Sequence, residues 1–180
     1  MEQELGDTIA LLARTPGAVG ALVRDLTENW VARNEGEKTW SVQEVVAHLA
    51  YVERVDWMPR VRLILESGEE RTFEPLNRWG FAQETRGKSL GALLDEFARL
   101  RAQNLEQLRG LRLGDREMKL RGRHPALGTI TLTELLAAWA VHDLTHLHQI
   151  SRILAHQYRE AVGPWAQYLG VLRCDGHSGE

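Results

Sequence analysis

Cysteine is almost absent from this chain of 180 residues, and so is any long apolar run. Cys174 is its one cysteine, so no disulfide can form within the chain, and a reducing compartment is the simpler interpretation. The longest apolar run, Leu135 to Val141, has seven residues, whereas roughly 20 are needed to cross a bilayer. The segment Met1–Leu5 is acidic and does not resemble a secretory signal. We therefore expect a cytoplasmic protein with no membrane partner.

An excess of positive charge is also missing. Lysine and arginine number 22 and aspartate and glutamate 25, for a net charge of −3. Because proteins that bind nucleic acid without sequence preference need clustered positive charge, we expect no nucleic-acid partner. Hydrophobic residues make up 43 % of the chain, which excludes a disordered chain. The length is that of one domain. We divide it into a helical bundle over 1–160 and a region over 161–180, with a short helix from Pro164 and a polar tail.

Residues that favour strands are scarce. The chain has 12 valines and 5 isoleucines, against 27 leucines and 18 alanines. Leucine and alanine keep their side-chain freedom in a helix, whereas β-branched residues lose it. The composition therefore predicts an all-α protein with no substantial sheet.

Four segments carry apolar residues at helical spacing, and they are 2–30, 41–65, 89–111 and 131–158. Ser41 with Glu44, and Thr131 with Glu134, have the spacing of capping boxes, and Ser89 is a predicted N-cap. Helices of about 20 residues span about 30 Å, which predicts a four-helix bundle.

Breaks in the helical pattern predict the connections. Thr15 is expected as the N-cap, and Pro16 as the first residue, of a second piece of the first helix. A kink is expected near Pro59. Residues 68–88 are predicted to be irregular with one short helix, and 114–129 to be a connecting loop, because it holds glycine and proline.

Three of the seven histidines fall on apolar helix faces. His142 and His146 are four residues apart, hence about 40° apart on one face, a spacing that lets two imidazoles reach one ion. That face also carries Trp139 and Gln149. His48 lies within the apolar stripe of the second helix. Three inward-facing histidines form a candidate metal site, and the alternative is three core histidines that donate hydrogen bonds to carbonyls.

The other histidines are weaker candidates. His148 lies about 120° around the helix from His142, and His156 returns to the same face but lies about 15 Å beyond His146. His124 is expected at the surface, although its loop could bring it near the site. His177 falls in the polar tail.

Two charged features and the tryptophans each admit two interpretations. Asp143 could support its neighbour His142, but it lies about 100° away on the helix. The basic segment Lys119–Arg123 either draws an anionic substrate to the site or is a solvated loop. Nothing near Cys174 indicates an activated nucleophile. Six tryptophans could line a pocket, but we expect them mainly in the core; they are Trp30, Trp40, Trp57, Trp79, Trp139 and Trp165.

Three blocks of sequence together resemble the DinB-like superfamily, the group that includes YfiT-type metal-dependent hydrolases. They are WSVQEVVAHL at 40–49, HPALGTITL at 124–132 and WAVHDLTHL at 139–147. The resemblance implies a four-helix bundle of up-down-down-up topology and a divalent metal held by His48, His142 and His146. It also implies a homodimer, and relatives that use bacillithiol or mycothiol as a thiol substrate. The family name describes inducibility by DNA damage and implies no DNA binding.

Three protein ligands leave a coordination position open, which is typical of catalytic rather than structural sites. There an ion can lower the pKa of bound water to about 7 or hold a thiolate. We expect a metal-dependent thiol S-transferase or hydrolase that acts on small molecules. Three imidazoles suit several divalent ions, with zinc or nickel expected first, and the affinity should fall as imidazoles protonate near pH 6.

Two alternatives remain open at this point. One is a non-enzymatic, stress-linked binding or metal-sensing dimer, in which a further ligand such as His124 closes a structural site. The other is a helical bundle without a metal.

Overall fold

The computed structural model describes residues 4–84 and 86–173, so Cys174 and His177 lie outside the described residues. Four long helical segments dominate the described chain, as the composition predicts. The helices are α1 (Leu5–Leu12), α2 (Thr15–Val23), α3 (Glu28–Val31), α4 (Val42–Val55), α5 (Trp57–Ser67), α6 (Phe81–Glu84), α7 (Leu90–Gly110), α8 (Asp115–Met118) and α9 (Leu132–His156). Two short 3₁₀ helices follow at Gly163–Tyr168 and Gly170–Leu172, where a short helix from Pro164 was predicted.

The direction of each long helix follows from its contacts. Glu53 of α4 contacts Arg101 of α7, and Arg62 of α5 contacts Gln107 further along α7. The residue numbers rise together, so the α4–α5 segment runs parallel to α7. On the other side of α7, Arg101 donates to the carbonyl of Leu12 and Asp95 accepts from Arg24. There the numbers run in opposite directions, so the α1–α2 segment is antiparallel to α7.

The last long helix completes the topology. Trp139 of α9 donates to Glu53, while His146 of α9 lies beside His48, so α9 runs antiparallel to α4. The order is therefore up-down-down-up, and the all-α four-helix bundle is confirmed. The connection 68–89 is long enough to return the chain to the end of the bundle from which α4 starts.

Helix starts agree with the predicted caps at three places. The capping boxes are present, with the backbone N–H of Ser41 donating to Glu44 at 2.7 Å and that of Thr131 donating to Glu134 at 2.6 Å. The Ser89 hydroxyl accepts from the N–H of Ala92. Each is local, which explains why sequence alone predicts it.

The first helical segment differs from its prediction. Thr15 is the first residue of α2 and not its N-cap, because Arg14 before it already has helical backbone angles and carries no capping bond. The predicted continuation to Trp30 is broken as well. Asp25 has a positive φ of 67°, a conformation no α-helix contains, so α2 ends and α3 begins separately.

The expected kink near Pro59 is a break between two helices. Asp56 separates α4 from α5 with a φ of −116°. Pro59 lies in the first turn of α5, where its missing N–H costs no helical hydrogen bond. A continuous helix would require Pro59 to donate to the carbonyl of Val55, which proline cannot do.

The predicted loop 114–129 contains more structure than expected. Besides α8, it carries the antiparallel strands β1 (Arg121–His124) and β2 (Gly128–Thr131). Gly122 is required here, because a Cβ at this position would lie 2.6 Å from the Ile64 side chain. The N–H of Phe73 donates to the carbonyl of Arg123 at 2.9 Å. The hairpin is thus held against α5 and the connection that follows it.

Apolar side chains fill the bundle in two clusters, one beside α2, α4 and α7 and one beside α1, α5 and α9. Trp40, Trp57 and Trp139 are buried in them, as expected of core tryptophans, whereas Trp79 and Trp165 are exposed. Within 4–84 and 86–173, no helix has the length and apolarity required to span a bilayer.

Candidate metal centre

Three imidazoles from two helices converge where α4 faces α9. His48 Nε2 lies 3.2 Å from His142 Nε2, which lies 3.1 Å from His146 Nε2. The ligand nitrogens all fall within 4.8 Å of one another. Nitrogens bound to one tetrahedral ion at about 2.0–2.1 Å are about 3.3 Å apart. The spacing of the three rings therefore fits a shared divalent ion.

Gln149 sets the orientation of one ring. Its Oε1 lies 2.7 Å from His146 Nδ1, and an amide oxygen only accepts, so Nδ1 carries the proton. The lone pair of His146 is then on Nε2, the nitrogen that faces the other two rings. The sequence places Gln149 on this face, one turn after His146, but the bond between them was not predicted.

The other two rings have no hydrogen-bond partner on their outer nitrogens. His48 Nδ1 and His142 Nδ1 are buried and unpaired in the described part of the chain. The core-histidine alternative requires hydrogen bonds to backbone carbonyls, but none of the three histidines makes one in the described part of the chain. Buried polar atoms normally have partners. Three rings that meet each other through Nε2 could together hold one metal ion.

Burial keeps these imidazoles neutral. It is the main reason that the pKa of His48 is lowered to about 3, with the charges of His146 and Arg78 adding to the effect. Burial also lowers the pKa of His142 and that of His146 below the ordinary imidazole value. Neutral imidazole is the form that binds metals. Protons should therefore compete with a metal ion for these nitrogens at a lower pH than the value near 6 expected of ordinary histidines.

Aromatic side chains surround the rings. Trp40 stacks nearly parallel to His146 with centroids 6.1 Å apart, and packs at 4.8 Å against His48. Trp57 presents its edge to His142 at 5.2 Å. This apolar packing fixes the rings and lowers the local dielectric, which is the cause of the lowered pKa values.

A cavity of about 460 Å³ reaches the three histidines. Its other walls come from Arg60 of α5, the segment 75–78, the hairpin turn at 124–126, and Thr145. No described residue that lines it is a carboxylate. His124 thus lies near the site, as its loop position allowed, but it is not one of the clustered ligands. The described residues supply three ligands and an open side, which is the arrangement expected of a catalytic ion.

Comparison with known proteins places the chain in a family. A family model for the DinB superfamily matches residues 11–150, a range that includes all three clustered histidines. The chain belongs to the DinB superfamily. Its fold is similar to that of YfiT from Bacillus subtilis, described as a probable metal-dependent hydrolase with an unusual four-helix bundle topology. The TM-score is 0.73, the identity 22 %, and the match covers 89 % of this chain and 90 % of YfiT. No curated protein matches with significance.

In this DinB-superfamily bundle, Asp143 pairs with an arginine and not with one of the three histidines. It accepts two hydrogen bonds from Arg101, at 2.6 and 2.9 Å, and it does not line the cavity. Arg101 also contacts Glu53, which accepts from Trp139 at 3.0 Å. Burial raises the pKa of Glu53, although Arg101 opposes the shift. The network links α4, α7 and α9, and the charge of Asp143 partly opposes the burial that lowers the pKa of His146.

Sequence reasoning missed this network, although a signal was present. Arg101 and Asn104 continue the apolar stripe of α7 that contains Phe97, and Glu53 interrupts that of α4. Charged residues at core positions of adjacent helices indicate buried ion pairs.

The other polar candidates of the DinB-superfamily chain lie outside the cavity lining and the histidine cluster. Lys119–Arg123 contributes no residue to the cavity lining, so the basic side chains there are instead Arg60 and Arg78. His148 and His156 are outside the clustered group, as their helical positions predict.

Proposed function

We propose that this protein is a metal-dependent enzyme that transfers the sulfur of a low-molecular-weight thiol to an electrophilic small molecule. In this proposal His48, His142 and His146 hold a divalent ion, with zinc or nickel expected. One observation carries it: three neutral imidazoles turn their Nε2 atoms toward each other in the lining of an open cavity.

A divalent ion held there supplies Lewis acidity, which stabilises a thiolate or hydroxide at neutral pH. The protein supplies the rest. Gln149 keeps the His146 proton on Nδ1 and so keeps Nε2 available. Trp40 and Trp57 pack against the rings and exclude water from their outer sides. The cavity gives small molecules access to the histidines.

The lining favours thiol transfer over hydrolysis. No carboxylate among its described residues is placed to act as a general base or to protonate a leaving group. When a thiolate attacks a carbon that bears a halogen, the C–S bond forms and the C–halogen bond breaks. The halide leaves as an anion without a proton, and the thiol proton goes to solvent. Such a reaction needs no acid–base side chain, whereas hydrolysis of an amide does.

The test is a panel of thiols and halogenated or epoxide-bearing electrophiles, with esters as a hydrolysis arm. It compares metal-loaded protein, metal-free protein and His142→Ala, with His148→Ala as a matched control on the same helix. Turnover is expected in the loaded protein and the control alone. Equal turnover in all four samples would show that the ion has no role. Ester hydrolysis without thiol transfer would move the protein to the hydrolases.

A further inference from the structure

Two arginines bring positive charge to the cavity above the three histidines. Arg60, Arg78 and His124 line it, and its described lining includes no acidic side chain. We propose that these three residues recognise a carboxylate carried by the substrate while its reacting atom lies at the histidines. This inference rests on the proposed function, since it concerns what enters the same site.

Arg60 is held in place before any ligand arrives. Its Nη2 lies 2.7 Å from Asp56 Oδ1, and its guanidinium lies over the Phe73 ring at 5.2 Å from the centroid. The side chain is 13 % exposed. A guanidinium has five N–H groups in a rigid plane, and one carboxylate oxygen occupies only part of them. A fixed, partly desolvated guanidinium suits recognition of a second carboxylate.

Arg78 adds a second positive charge to the cavity. It stands in the connection between α5 and α6, and its side chain reaches the same cavity as Arg60 of α5. After burial, its charge contributes to the lowered pKa values of His48, His142 and His146, in keeping with its place beside them in the lining. Cations on two separate walls of a cavity raise the local concentration of anions.

His124 contributes a hydrogen-bond donor. Its Nδ1 accepts from the N–H groups of Ala126 and Leu127, both at 3.1 Å. The neutral ring therefore carries its proton on Nε2, and burial together with Arg60 lowers its pKa and favours that neutral form. The hairpin turn thus fixes which nitrogen of this lining residue can donate.

Two pairs of compounds test the proposal, and each pair has one member with a carboxylate and one without a charge. One pair consists of thiols and the other of electrophiles, so the comparison shows which substrate carries the carboxylate. Cobalt(II)-loaded protein is titrated with mercaptopropionate and mercaptopropanol, and the thiolate-to-cobalt absorption gives a Kd for each. In the second arm, kcat/KM is measured for chloroacetate and chloroacetamide with mercaptopropanol as the thiol. A carboxylate preference of about tenfold is expected in one arm, as for one charge-assisted hydrogen bond. The arm that shows it identifies which substrate carries the carboxylate.

The variants are Arg78→Gln and Arg60→Gln, with Arg62→Gln as the matched control. Arg62 is on the same helix as Arg60 but contacts Gln107, outside the cavity. The preference should fall to within about twofold in the first two variants and persist in the control, and it should weaken as salt is added. Arg78 is exposed, so its replacement tests the proposal even where Arg60→Gln perturbs folding.

The outcomes separate the two proposals. Equal Kd and kcat/KM values for charged and uncharged partners would overturn the carboxylate site while thiol binding stands. A preference that survives in both variants would mean that the ion itself chelates the carboxylate, and would overturn it too. If neither thiol changes the cobalt spectrum, the proposed function fails. Saturation-transfer NMR with propionate and propionamide on the same protein and on Arg78→Gln then decides the carboxylate site alone.

Discussion

Arg101 and Asp143 form a two-point ion pair in the centre of the bundle, with Nη1–Oδ2 at 2.6 Å and Nη2–Oδ1 at 2.9 Å. Both side chains are 1 % exposed. The pair joins α7 to α9 at the residue that follows His142, and Glu53 brings α4 to the same guanidinium. The helices that present the three histidines are therefore aligned through one buried arginine.

Replacing this arginine should destabilise the protein strongly. Arg101→Met leaves Glu53 and Asp143 buried without a cation, and breaking a buried pair in this way costs about 3–5 kcal/mol. Urea unfolding followed by circular dichroism measures the loss. Arg99→Met is the control, because Arg99 is an exposed residue of the same helix that contacts only Gln103 in the described structure; its cost should be below about 0.5 kcal/mol. An Arg101→Met protein as stable as the parent would contradict the role given to the network.

Each of the three histidines should be needed for the ion. His48→Ala and His146→Ala are expected to lose most of the bound metal, because two imidazoles hold a divalent ion far less tightly than three. Elemental analysis of untagged protein purified without metal columns measures the ion per chain. His148→Ala, on the same helix but outside the cluster, should keep the parent's content. Full occupancy in both folded cluster variants would rule out this ligand set.

Stability should depend on pH through the same histidines when no metal is bound. The pKa of His48 is about 3 in the folded chain and near 6.5 when unfolded. Between these values the unfolded chain binds more protons, so the free energy of unfolding falls as the pH is lowered from 6.5 toward 3. The loss approaches about 1.4 kcal/mol per pH unit for one histidine.

Comparison with His48→Gln isolates this contribution from that of carboxyl groups. Unfolding of chelator-treated protein is followed across the same pH range, and the variant should show the shallower dependence. If the parent and the variant lose equal stability as the pH falls, then His48 titrates normally in the folded protein.

Gly122→Ala should displace the hairpin from α5. The added Cβ would lie 2.6 Å from Ile64 and 3.0 Å from Phe73, so β1 must move, at a cost of about 1–3 kcal/mol. A fall in Tm by differential scanning calorimetry is the expected result. Gly110→Ala has open space around the new methyl group and no positive φ, so its Tm should not fall. If the Tm of Gly122→Ala equals that of the parent, the close packing of the strand on α5 does not contribute to stability.

Helix periodicity was sufficient to find the candidate ligands, because their arrangement depends on regular geometry. The spacing of His142 and His146 fixes their shared face, and the apolar stripe of α4 fixes the direction of His48. The caps at Ser41 and Thr131 were predictable for a related reason, since each involves residues three apart.

Features that depend on distant parts of the chain were not predictable from the sequence. The strands β1 and β2 have four residues each, and the glycines within them and Pro125 between them are equally typical of a loop. Their position depends on contact with Ile64, far away in sequence. Arg60 and Arg78 belong to a helix and an irregular connection, so only the folded chain shows that they share a cavity. The run Lys119–Arg123 is the more visible basic segment in the sequence, yet none of its residues lines the cavity.

The hairpin and the segment 75–78 form much of the cavity wall, whereas the three histidines come from the long helices. The clustered histidines and most of the cavity wall therefore come from different stretches of sequence. Grafting another hairpin turn between α8 and α9 would change which molecules reach the histidines while leaving their spacing intact. In this architecture the entrance of the cavity and the histidine cluster can be altered separately.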